Sequence, residues 1–140
     1  MRVERKGNKT EIPVAEELET AKQIFTDYLE NKMTLKDIAR KYFYSGDGEK
    51  KLLGYVKKVK QILSHFEYTA ESLNVNGREI LKAYREGKIE SISCLIKDDY
   101  WTKSNYYTNK IIERKTWLDA NERLQIIKLS LKKTYYRKLS

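Results

Sequence analysis

Leu52, Val56, Val59, Leu63 and Phe66 succeed one another at steps of four, three, four and three residues. At about 100° per residue, this spacing keeps all five on one narrow stripe of a helix, whereas a strand would scatter them over both faces. The stripe predicts a helix from Glu49 to Phe66 with one buried side. Its other side then carries Lys50, Gly54, Lys57, Lys58 and Gln61, with Lys51 and Lys60 on the flanks. Such a surface suits a nucleic-acid groove: lysines meet phosphates, glutamine pairs with adenine, and a glycine lets the backbone come close. The same residues also describe an ordinary amphipathic helix with a solvated lysine face.

The rest of the chain reads as helix too. Its 140 residues include one proline and six glycines, and the length allows one modest core or two very small ones. "IFTDYLENK" from Ile24 to Lys32 returns as "ILKAYREGK" from Ile80 to Lys88, pairing Tyr28 with Tyr84 and Asn31 with Gly87. Asn and Gly most readily take the left-handed conformation that ends a helix. Each phrase precedes a short apolar segment at helical spacing, Leu35, Ile38 and Ala39 in the first copy and Ile92, Leu95 and Ile96 in the second. Each segment then breaks, at "YFYSGDGEK" and at "KDDYWTKSN", before a third helical pattern ending "GYVKKVK" or "NKIIERK". The alternative is chance likeness between helices of similar composition.

Charge follows the same division. The net charge of +9 is spread as −2 over residues 1–31, +6 over 32–60, −1 over 61–109 and +6 over 110–140. Such a balance favours a polyanionic partner. With Cys94 as the single cysteine, an internal disulfide is impossible and a reducing, cytoplasmic setting is expected. No apolar run is long enough to span a bilayer, and "MRVERKGNK" lacks the apolar stretch of a secretory signal, so no membrane partner is expected.

"LENKMTLKDIARKYF" resembles the phrase common in homeodomain-like bacterial and phage helix-turn-helix proteins, with Thr34 and Asp37 as the capping box of the short helix. The resemblance covers residues 14–66 well and residues 70–118 more weakly. It implies an all-α chain of two tandem three-helix helix-turn-helix units plus a C-terminal helix. The divisions are a basic arm over 1–12, units over 13–68 and 69–118, and an amphipathic helix over 119–140. It also implies a recognition helix in each unit. In the second unit, a stripe centred on Ile111 turns Asn105, Tyr106, Asn109 and Lys110 outward, with Lys103 just before them. Asparagine is suited to adenine and tyrosine to phosphate.

Two accessory segments complete this reading. Arg2, Arg5, Lys6 and Lys9, ahead of Pro13, form either an arm for an adjacent minor groove or a solubilising tail. Asp119 and Glu122 stand at capping-box spacing ahead of Leu124, Ile127 and Leu131, on a helix that packs on its own domain or pairs with a second copy as a homodimer. Tyr28, Tyr84, Trp101 and Trp117 are expected in the core. No enzyme is expected, because His65 is the only histidine and has no triad or metal spacing, and the adjacent Asp98 and Asp99 read as solvated caps. No cofactor motif is present.

The expected function is therefore sequence-specific binding of double-stranded DNA by a transcriptional regulator of bacterial or mobile-element origin. The alternatives are a packaging or recombination accessory factor resembling a small terminase subunit, and a basic protein-interaction module. Two recognition helices and about six neutralised phosphates would cost ~10³ in affinity between 50 and 200 mM salt.

Overall fold

The computed structural model describes residues 3–6, 10–13, 15–104 and 109–139. Helices dominate: α1 (Ala15–Leu29), α2 (Leu35–Tyr42), α3 (Glu49–Ser64), α4 (Val75–Arg85) and α5 (Arg114–Leu139). Two short antiparallel pairs join them, β1 (Val3–Lys6) with β2 (Thr10–Pro13) and β3 (Glu71–Leu73) with β4 (Trp101–Lys103). No described helix is long and apolar enough to cross a membrane.

The first three helices follow the sequence pattern closely. α1 buries Ala21, Ile24, Phe25 and Tyr28, spaced three, one and three apart. The chain leaves it through Lys32, which takes the left-handed conformation at φ 53°. Asn31, expected there, instead donates through Nδ2 to Asp27 Oδ1 at 2.7 Å, and the reversal falls one residue later. Thr34 caps α2 by accepting from the Asp37 N–H at 3.1 Å, and α2 buries Ile38 and Ala39. In the turn that follows, Ser45 Oγ donates to Asp47 Oδ1, and Gly46 and Gly48 both have positive φ. α3 then buries Leu52, Val59, Ile62 and Leu63, leaves Val56 half-buried, and stops before Phe66, which lies in a 3₁₀ turn.

The second copy departs from the first. α4 repeats the helix, capped by Asn74 and ending at Gly87 with φ +78°. The short helix expected around Ile92 shrinks to a 3₁₀ turn over Ser93–Ile96, burying Ile92 and Leu95 but leaving Ile96 exposed. The expected third helix is absent from the described residues up to Glu113. Trp101–Lys103 pair with β3 instead, and the Ile111 and Ile112 N–H groups both donate to the Tyr68 carbonyl. The cause is tertiary. Trp101 is held down by donation from Nε1 to the Leu95 carbonyl at 2.5 Å, and Asn74 fastens the segment by bonding the carbonyls of Asp99 and Tyr100. Gly77 permits this approach, since a Cβ there would lie 2.9 Å from Leu73 Cδ2 and 3.0 Å from the Tyr100 carbonyl.

Arg114 then starts α5, five residues before the expected cap at Asp119, which sits inside the helix 3.4 Å from Lys115. The Arg114 guanidinium binds both Glu71 oxygens, at 2.6 and 3.2 Å, as well as Asp98 at 2.8 Å and the Ile96 carbonyl at 2.7 Å. Asp98 is thus an ion-pair partner as well as a turn residue. Behind this clamp, Trp117, Leu118, Ala120, Asn121 and Gln125 are buried, and α5 packs on α1 and α3. The buried side chains form one cluster that continues across the expected boundaries at 68/69 and 118/119. Tyr28, Tyr84, Trp101 and Trp117 all belong to it, as expected.

Asp27 is the polar link between the end of α1 and α2. It is buried, yet accepts from Tyr42 Oη at 2.5 Å, Asn31 at 2.7 Å and Lys41 Nζ at 2.9 Å. Burial pushes its pKa up, but those three donors together outweigh burial and hold the carboxyl below its ordinary value. A group of this sign adds stability that is present above the ordinary carboxylate pKa and lost as pH falls through the lowered one. Asp27→Ala should therefore cost about 2 kcal/mol in urea unfolding at pH 7, with the gap to the wild type narrowing below about pH 4. Tyr28 supplies the opposite test, because its buried hydroxyl has no hydrogen-bond partner among the described residues. Tyr28→Phe should raise stability by about 1 kcal/mol in the same measurement.

Candidate nucleic-acid interface

α2 and α3 are joined by Phe43–Gly48, and α2 packs mainly on α3. Packing on one side fixes which face of α3 meets solvent. Lys50, Lys51, Gly54, Lys57, Lys60 and Gln61 are all exposed, as the stripe predicted, and Lys58 is half-buried. Their settings differ, however, in ways that side-chain type alone does not reveal.

Lys50, Gly54, Lys57 and Gln61 recur at steps of four, three and four, so they share the centre of the outward face. Among the described residues, Lys50 and Lys57 enter no ion pair. A Cβ built on Gly54 would have no neighbouring atom within 4 Å, leaving its backbone open to an approaching ligand. Lys51 bonds Asp47 at 3.2 Å, which holds that carboxyl below its ordinary pKa. Lys58 lays its ammonium over the Phe43 ring, 4.5 Å from the centroid, in a cation–π contact on the connection between α2 and α3. Lys60 lies on the other flank, in a cleft with Arg85 and Lys128. The one acid opening α3, Glu49, is balanced by Lys36 of α2 at 3.6 Å. The face is thus a short cationic strip with an amide at one end.

The second set of predicted residues is not assembled in the same way. Lys103 stands exposed on β4 opposite Glu71, and Asn109 and Lys110 are exposed on irregular backbone, with Lys110 3.3 Å from Glu113. These three share no helix face. Asn105 and Tyr106 lie outside the described residues, as do Arg2 and Lys9. Arg5 and Lys6 belong to β1, paired in register with Glu11 and Thr10, so this part of the expected arm is a strand of a hairpin.

Three features escaped the sequence reading. Asp27 carried a local signal, since Asn31 follows it at helical spacing, but its contacts to Lys41 and Tyr42 span the turn between helices. The Arg114 clamp joins residues up to 43 positions apart, and no local pattern announces it. The meeting of Lys60, Arg85 and Lys128 on three helices is likewise a product of packing alone.

No protein-family model matches this chain. No curated protein and no solved structure is matched by it either.

Gly54 separates helix stability from surface chemistry. Because it is exposed inside α3 with open space around its missing Cβ, Gly54→Ala should stabilise the protein by about 0.5–1 kcal/mol, read as a raised midpoint of thermal unfolding.

Proposed function

We propose that the chain binds double-stranded DNA in a sequence-specific manner through the exposed face of α3, as a transcriptional regulator of bacterial or mobile-element origin. The observation that carries this reading is the strip of Lys50, Gly54, Lys57 and Gln61, held outward by a helix whose other side is core. α2, the connection and α3 supply the helix order of a helix-turn-helix, with α3 in the recognition position. In this reading Lys50, Lys51, Lys57 and Lys58 meet the phosphates, Gln61 reads a base edge, and Gly54 sets how closely the helix enters the groove.

A single unit of this kind among the described residues alters what is expected of the site. A single recognition helix covers a half-site, and pairing of two copies through the exposed apolar positions Ile126, Leu129 and Leu131 of α5 would present two of them with two-fold symmetry. About four phosphate contacts per unit correspond to a roughly hundredfold loss of affinity between 50 and 200 mM salt. Lys103 and Lys110 add charge at the periphery, and among the described residues they share no helix face with each other or with Asn109.

The decisive measurement is binding to a random-sequence duplex at low salt, followed by selection of the bound fragments. The Lys50→Glu/Lys57→Glu double variant should lose at least a hundredfold in duplex affinity with an unchanged far-ultraviolet circular dichroism spectrum. Retained affinity in that variant would place the DNA elsewhere, and no binding of wild type to any duplex at low salt would remove the reading altogether.

A further inference from the structure

A cleft of about 220 Å³ opens between α3, α4 and α5 on the flank of the α3 strip. Each of the three helices contributes one cation to its wall, Lys60, Arg85 and Lys128, and no carboxylate lines it among the described residues. Its apolar lining comes from Leu81, Tyr84 and Leu124. Among the described residues, none of the three cations is ion-paired, whereas Lys41, Lys51 and Arg114 each face an acid.

Arg85 is positioned rather than loose. Its Nη2 donates to Asn121 Oδ1 at 3.3 Å, and the buried Asn121 is itself locked by donating to the carbonyls of Leu63 at 2.9 Å and Trp117 at 2.8 Å. Lys128 Nζ donates to the Arg85 carbonyl at 3.3 Å, which brings the two cations to the same end of α4. A guanidinium has five N–H donors, so most of those on Arg85 remain available to a ligand. The protein mass around that guanidinium pushes its pKa down with no carboxylate to offset the effect, which an incoming anion would relieve. Arg85 nonetheless keeps solvent access, so the cleft can be entered.

We infer that this cleft binds a small organic oxyanion, a carboxylate or phosphate head on a short apolar or aromatic body. Arg85, Lys60 and Lys128 hold the head, and Leu81, Tyr84 and Leu124 cover the body. The volume lies below that of sites for drug-sized ligands, which favours a single ring or short chain over a nucleotide. The inference does not rest on DNA binding by α3.

The test is titration of the full chain with phenyl phosphate and, separately, phenylacetate, followed by calorimetry and by the side-chain amide resonances of Asn121 and Gln125. Saturable binding of at least one probe is expected, with those resonances shifting. Affinity should fall about tenfold in Arg85→Gln and also in Lys128→Gln, which lies on the surface and keeps the fold if the first variant does not. Lys57→Glu should leave probe binding unchanged, which separates this site from the α3 strip. Three results would overturn the inference. These are no saturation by either probe, equal affinity for inorganic phosphate, or displacement of the probe by a DNA duplex through Arg85, which would make the cleft a backbone-phosphate contact.

Discussion

The indole of Trp117 meets Phe66 at 6.2 Å and Trp101 at 5.8 Å between ring centroids, each edge to face, with no part of it exposed. This contact joins the 3₁₀ turn that follows α3, the β3–β4 pair and the start of α5. Two buried indoles with the half-buried Phe66 ring bring a large apolar area together at one point, and edge-to-face geometry adds to it. The polar contacts around it depend on that placement. Arg114 reaches Glu71 and stacks over Trp101 only because Trp117 anchors the first turns of α5, and Asn121 reaches the Leu63 carbonyl from one turn further along.

Much of the first half of the fold was legible because its information is local. The stripe of α3, the Thr34 cap and the turn chemistry of Ser45 to Gly48 are each contained within a few residues. The second half was not. Its apolar spacing around Ile111 fits a helix, yet the backbone there bonds to the Tyr68 carbonyl, more than forty residues earlier. Strand pairing of Trp101 with Leu73 is also long-range, although over a shorter stretch of chain. The two similar phrases therefore share α1 and α4 as helices, then diverge because Trp101 has a core to enter and its counterpart region has a solvent-facing turn.

For the candidate site, residue types on α3 were readable while their pairing was not. Knowing that seven polar or small residues face outward does not distinguish Lys57, which enters no ion pair among the described residues, from Lys51 beside Asp47 or Lys58 over Phe43. These distinctions come from neighbours on the turn and on other helices. They also divide the surface by chemistry: a strip of open cations suited to a repeating polyanion, and beside it a recess with an apolar floor suited to one small anion.

The position of α5 in the chain has a consequence for biosynthesis. Asn121 bonds a carbonyl 58 residues earlier, and Arg123 reaches the Tyr28 carbonyl 95 residues earlier. While a ribosome is still making residues 70–113, the helices already released have no Trp117 to close over them, and Leu63, Phe66 and Tyr28 lack part of their cover. Contacts so distant in sequence slow folding and lengthen the time during which apolar surface is open to other chains. Completion of this core must therefore wait for α5 to emerge, long after α1 and α3 have left the ribosome.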